Sequence, residues 1–175
     1  MTTRRELFVL PLLMSLPPLC LAGRSSIVVG TYPLDEMRSI PHLTFPRVLL
    51  YNQAGKRIDK AEWPGDLSAV RTIAGDAFCC VSDGPPQPEG AGPPPDCKTI
   101  VYGADINEHF RGLIDSAKRP LTRAQLPPHQ FLIIDYFASW CSPCLASRKA
   151  LEKFMASTKS HGYVALVVDF SALQS

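Results

Sequence analysis

From Phe131 to Phe137 the chain carries a nearly continuous apolar and β-branched run, FLIIDYF, bounded by Pro127 and Pro128 before it and Ser139 after it. A short run of this kind between turn residues predicts a buried central strand. In SPCLASRKALEKFMAS, Leu145, Ala150, Leu151, Phe154 and Met155 then recur at roughly helical spacing. That predicts a helix, with Pro143 tolerated in its first turn. Tyr163 to Asp169 predicts a second apolar strand. Earlier in the chain, Arg47 to Tyr51 reads as an apolar strand, Asn52-Gln53-Ala54-Gly55 as a turn and Lys56 to Lys60 as a polar return strand. Asp66 to Ala74 then reads as a small helix with Leu67, Val70 and Ile73 on one face. Ile106, Phe110, Leu113, Ile114 and Ala117 fall at i, i+4, i+7, i+8 and i+11. They predict an amphipathic helix, capped by Asp105 and stopped before Pro120, that covers one face of a sheet.

The ends of the chain and its proline distribution divide it further. Arg4 and Arg5 precede an apolar run from Leu7 to Leu21 that is interrupted by Pro11, Ser15, Pro17 and Pro18. Residues 1–23 therefore read as a secretory signal peptide, cut near Ala22 or Gly23. The run is short of the ~20 apolar residues of a membrane span. A membrane connection would come only through an uncleaved leader or a lipid-anchored Cys20. Export implies a periplasmic or secreted protein, where disulfides persist. Residues 24–78 hold the hairpin and helix, and residues 79–98 form a proline- and glycine-rich linker centred on SDGPPQPEGAGPPPD. Residues 99–175 hold the cysteine motif. Of the 17 prolines, the concentration in this linker is the notable departure from ordinary composition. A formal charge of +2 with scattered basic residues gives no nucleic-acid footprint.

Cys141 and Cys144 are separated by two residues and sit where the predicted strand becomes a helix. A helix N-terminus favours an anion, so Cys141 is expected to have a lowered pKa and to act as nucleophile. Cys144, one turn later and more buried, is the expected resolving thiol. A plain stapling disulfide or half a zinc site is the alternative for the same spacing. Zinc would need two further ligands, and the chain has no second Cys-x-x-Cys and no His-x-x-x-His, so neither metal nor cofactor is expected. His109, beside the apolar stripe of its helix, reads as a surface or boundary histidine, and His42, His129 and His161 as isolated loop histidines. Removing Cys20 with the leader leaves five of the six cysteines. With Cys141 and Cys144 set apart, Cys79 or Cys80 can bridge Cys97 across the linker, and the choice stays open.

The segment DYFASWCSPC resembles the active-site segment of the thioredoxin superfamily, in which an apolar strand, an acidic residue and two aromatics lead to Trp-Cys-x-x-Cys. The resemblance runs from Phe131 to about Asp169. It implies an α/β fold with a thioredoxin-like sheet flanked by helices. It also implies that Asp135 is a buried acid moving protons to and from the resolving thiol, where the plain alternative is a solvated strand-end carboxylate. Trp140 and Pro143 then belong to the partner-docking surface. LTFPRVLLYNQAGKRI resembles the family's proline-containing hairpin, which makes Pro46 the counterpart of a cis-proline that binds substrate backbone. An ordinary trans proline is the alternative there.

The family places its cysteine half before its proline half, and here the order is reversed. Two arrangements follow: a circularly permuted domain, or an incomplete cysteine half fused to an unrelated segment. The favoured expectation is the permuted one, because an isolated strand-helix-strand unit leaves a sheet edge and face uncovered. The function implied by the resemblance is exported thiol-disulfide oxidoreductase, acting on cysteine-containing proteins through a Cys141 mixed disulfide resolved by Cys144. A redox-recycling partner is implied as well. Similarity to exported thioredoxins that keep cytochrome c precursor cysteines reduced favours reduction. The other class is a secreted binding or assembly protein in which Cys141 and Cys144 form a structural disulfide.

Overall fold

The computed structural model describes residues 25–39, 44–76, 79–80 and 105–174. The expected leader, residues 81–104 with Cys97, and Cys20 lie outside the described residues, as do the side chains of Ile73, Cys79 and Cys80. The strands and helices in chain order are β1 (Ser26–Thr31), α1 (Leu34–Ser39), β2 (Thr44–Phe45), β3 (Arg47–Asn52), β4 (Arg57–Ile58), α2 (Ser68–Asp76), β5 (Cys79–Cys80), β6 (Phe131–Phe137), α3 (Ser142–Met155) and β7 (Tyr163–Asp169). Together they form an α/β structure.

Five strands make one mixed sheet in the order β1-β7-β6-β3-β4. β6 and β7 are parallel and joined through α3, as parallel neighbours must be joined by a crossover. On its other side β6 pairs antiparallel with β3 over six residue pairs, from Arg47 opposite Tyr136 to Asn52 opposite Phe131. The hairpin from the first half of the chain and the cysteine strand from the second are thus neighbours in one sheet. β4 closes the edge as a two-residue strand, shorter than the expected Lys56–Lys60, after a turn in which Gly55 has φ +81°. A positive φ there suits a residue without Cβ. The opposite edge is β1, parallel to β7. Sequence reasoning did not identify β1.

The period-two alternation of β6 sorts its side chains between two cores. Leu132, Ile134 and Tyr136 face one with Val164, Leu166 and Val168 of β7. Ile133 faces the other with Ala165 and Val167, against Leu151, Phe154 and Met155 of α3, Leu67 just before α2 and Val70 within it. α3 buries Cys144, Ser147, Leu151 and Phe154 at spacings of three and four, one face of a helix. Both cores are closed by strands from both halves of the chain.

The first core is covered by residues 105–126, and here the expected amphipathic helix is corrected. Only Ile106–Phe110 is helical, as a 3-10 turn whose N-cap Asp105 accepts from the Asn107 amide. Gly112, at φ +77°, then redirects the chain. Ile114 forms bridges to Thr31 and to Pro120 instead of continuing a helix. Ile106, Phe110 and Leu113 are nevertheless buried, so the apolar residues cover the sheet as their pattern implied, through a different backbone. Close packing fixes this cover: a Cβ on Gly30 would lie 3.0 Å from Leu113 and Leu121.

Candidate functional site

β6 ends at Phe137, and the chain turns through Ala138, Ser139 and Trp140 into α3. Cys141 is the N-cap, with extended φ/ψ of −95° and 106°, and its amide donates to Ala138 O at 3.1 Å. Pro143 follows in the first turn, where its missing N–H costs no helical bond. The start of the loop after β7 holds this turn in place. Phe170 N donates to Phe137 O at 2.8 Å, and Ser139 N donates to Ser171 Oγ at 2.9 Å. Ser171 Oγ in turn donates to Asp169 Oδ1 at 2.5 Å.

The two cysteines differ in state and not in burial. Cys141 is disulfide-bonded. Cys144 is a free thiol, so the two are not bridged to each other, and the disulfide partner of Cys141 lies outside the described side chains. The expectation that Cys144 is the more buried of the pair is corrected: both are at most 1% exposed. A structural Cys141–Cys144 staple is likewise not what this structure contains. Burial pushes the Cys144 thiol up to about 12, and the charge of Asp135 adds to the shift.

Asp135 is buried, projecting from β6 to the face that α3 covers, and not a solvated strand end. Both carboxyl oxygens are without a hydrogen-bond partner among the described residues. Desolvation raises its pKa to about 7, against a smaller lowering by Arg148. A buried acid that titrates near neutrality beside a thiol is suited to accept and return that thiol's proton. Ser147 Oγ and Arg148 Nη1 are also buried without a hydrogen-bond partner among the described residues. Neither was singled out from sequence, although their places three and four residues after Cys144 put them on its helical face.

At the same end of the sheet the Phe45–Pro46 peptide is cis and Pro46 is buried. Phe45 meets the Trp140 ring edge-on at 5.7 Å between centroids. It also pairs in register with Cys79 of β5, which the sequence reading assigned to the linker. The proline segment, the backbone at Cys79 and Cys80, and the Trp140-Cys141 turn therefore converge. Trp140 is half-buried, and Pro143 is partly exposed.

A second buried polar group lies on the other side of the sheet. His109 is fully buried, correcting its expected place at a surface or boundary. Its Nε2 and Nδ1 each lie 2.5 Å from a tyrosine hydroxyl, Tyr51 on β3 and Tyr136 on β6. The Tyr32 hydroxyl donates to the His109 carbonyl at 2.8 Å. Burial lowers the His109 pKa to about 4. Among the described residues no group of three His, Cys, Asp or Glu side chains is placed to hold a metal ion. No helix among them is long and apolar enough to cross a membrane. No family model, curated protein or solved structure matches the chain.

Proposed function

We propose that this chain is an exported thiol-disulfide oxidoreductase of thioredoxin-like architecture, with the two halves of its domain in permuted order. The observation that carries the reading is the buried, unpartnered Asp135 carboxyl acting on the free thiol of Cys144, one helical turn from a disulfide-bonded Cys141. Desolvating a carboxyl without hydrogen bonds costs stability, which a plain staple does not require. The cis peptide before Pro46 and the Phe45–Trp140 contact support the same reading. So does the antiparallel pairing of β3 with β6, which joins the proline and cysteine segments in one sheet.

With both cysteines reduced, the Cys141 thiolate attacks a disulfide of a partner protein. A Cys141–partner bond forms, and one partner sulfur leaves as thiolate. The Cys144 proton then passes to the Asp135 carboxylate, and the Cys144 sulfur attacks Cys141. The Cys141–Cys144 bond forms, the mixed disulfide breaks, and the second partner sulfur leaves. The substrate is reduced by two electrons and the dithiol oxidised by two. A second dithiol protein restores the enzyme. In the described state Cys141 is held in a disulfide with another cysteine of this same chain and Cys144 is free, so that bond must be reduced before Cys141 can attack a partner.

A second reading, a secreted binding or assembly protein, is favoured by the complete burial of Cys141. Redox titration of the mature chain in glutathione buffers, with thiol trapping and mass spectrometry, separates the two. The enzyme is expected to show a reversible two-electron Cys141/Cys144 transition above about −300 mV. Its Cys144→Ser variant is expected to accumulate mixed disulfides with substrate proteins. A Cys141 bridge that resists these buffers, with no trapped partner, would establish the binding protein.

A further inference from the structure

Cys141 is disulfide-bonded, yet Cys144, the cysteine that its motif places within reach, is a free thiol. Of the six cysteines, Cys20, Cys79, Cys80 and Cys97 remain as partners. The described backbone brings two of these to the cysteine turn. β5 runs antiparallel to β2, with Cys79 opposite Phe45 and Cys80 opposite Thr44. Residues directly opposite in an antiparallel pair share a face and lie about 4.5–5.5 Å apart. Phe45 is fully buried in the core that holds Cys141 and Cys144, against the Trp140 ring. Cys79 therefore occupies the register position on the Phe45 face, beside the layer that contains Cys141, and Cys80 occupies the position on the opposite face.

Burial decides what can open the bond. Cys141 is 0% exposed, which denies an external thiol an approach to its sulfur. Cys144 is the internal nucleophile. It is the third residue after the N-cap Cys141, and residues three apart on a helix lie about 5–6 Å apart between Cβ atoms. β2 and β5 also stand outside the five-stranded sheet, as a separate pair joined through two residue pairs. With the covalent bond gone, little backbone pairing keeps β5 beside the turn.

We infer that Cys79 is a third redox cysteine, which holds Cys141 in a resting disulfide that Cys144 opens from within. The Cys144 proton passes to the Asp135 carboxylate, and the Cys144 sulfur attacks the Cys141 sulfur. The Cys141–Cys144 bond forms, the Cys79–Cys141 bond breaks, and Cys79 leaves as a thiolate that takes up a proton. No electrons enter or leave, so the exchange needs neither oxidant nor reductant. The disulfide that must be reduced is thereby moved from β5 into the Cys-x-x-Cys turn, where a dithiol partner reduces it and catalysis begins. That last use rests on the oxidoreductase reading, whereas the pairing and the exchange do not.

The test maps the disulfides of the full chain by acid-quenched alkylation, proteolysis without reductant and mass spectrometry. Cys79→Ser, Cys80→Ser, Cys144→Ser and Cys144→Ala variants are treated alike. Cys80→Ser is expected to keep the bond to Cys141 and Cys79→Ser to lose it. Incubation at about pH 8 without added thiol is expected to move part of the disulfide to Cys141–Cys144 in the unchanged chain. In reduced glutathione, the Cys79 thiol should appear about tenfold more slowly, or slower still, in both Cys144 variants, because an internal thiol outcompetes an external one. Agreement between the serine and alanine variants, with unchanged circular dichroism, would tie the slower release to the missing thiol. Cys141 bonded to Cys80 or Cys97 would overturn the assignment of Cys79. Equal release with and without Cys144 would overturn the internal exchange. Exchange as expected in a chain that reduces no partner disulfide would sink the oxidoreductase reading and leave the Cys79 exchange standing.

Discussion

Asp135 shows how one side chain can be unfavourable for the fold and still belong to it. Its carboxyl titrates at about 7 against an ordinary 3.8, because burial disfavours the charged form. An acid with a raised folded value leaves the protein most stable below pH 3.8, and stability falls as pH rises from there through 7. Each pH unit in that window is worth about 1.4 kcal/mol. Asp135→Asn is therefore expected to stabilise the chain, by about 2 kcal/mol at pH 5 and about 4 kcal/mol at pH 8. Urea unfolding at the two pH values reads this directly. An equal effect at both would mean that the amide changes packing and that ionisation is not the cause. The same variant is expected to resolve mixed disulfides more slowly, since the acceptor of the Cys144 proton is gone. Greater stability with lower activity is the signature of a group retained for chemistry.

At the scale of elements, His109 ties the covering segment to the sheet. The Tyr51–His109–Tyr136 hydrogen bonds connect residues 105–110 to adjacent strands β3 and β6, and Tyr32 adds β1's end of the core. A base whose folded pKa is about 4, against 6.5, is held neutral, so this contribution is present above pH 6.5 and is lost as pH falls toward 4. The loss amounts to about 3 kcal/mol. His109→Phe should remove that acid limb. At pH 7 it should cost about 2 kcal/mol or more, because two buried hydroxyls lose their partner. Thermal unfolding between pH 4 and 8 checks both halves, and an unaltered acid limb would assign it to another group. This segment is also where the sequence was hardest to read. Apolar residues at 106, 110, 113 and 114 satisfy helical spacing, but a 3-10 turn, the positive φ of Gly112 and the Ile114 bridges satisfy it equally well. His109 looked peripheral because its partners are 58 and 27 residues away in sequence. By contrast β6, α3, β7 and the β3 turn carry their signals locally, in apolar runs, helical spacing and Asn-Gln-Ala-Gly. β1 went unread because SIVVGT follows the leader and acquires its partner only from β7. Of the site, the positions of the cysteines at a strand-to-helix turn and the buried place of Asp135 were legible. The disulfide-bonded state of Cys141 and the burial of Ser147 and of Arg148 Nη1 depend on packing that no local pattern encodes.

For the whole molecule the decisive pairing is β3 with β6. It joins Arg47–Asn52 to Phe131–Phe137 across a sequence separation that includes the entire proline-rich stretch. Without it β6 would become an edge strand, and an apolar one, since Leu132, Ile133, Ile134 and Tyr136 are all at most 1% exposed. The second core would also lose Val48, Leu50, Leu67 and Val70. A buried aliphatic side chain contributes about 1.5–3 kcal/mol, so losing four exceeds a large share of the 5–15 kcal/mol that holds a domain together. Residues 99–175 expressed alone are accordingly expected not to fold. They should show no dispersed amide NMR spectrum and should associate through the exposed β6 edge. Adding residues 24–78 as a separate chain is expected to restore dispersion and a one-to-one complex by size-exclusion chromatography, because all strands of the five-stranded sheet lie within these two segments. A stable monomeric fragment 99–175 would instead show that the cysteine half is an independent unit. The permuted-domain reading would then fail, whatever chemistry Cys141 and Cys144 perform.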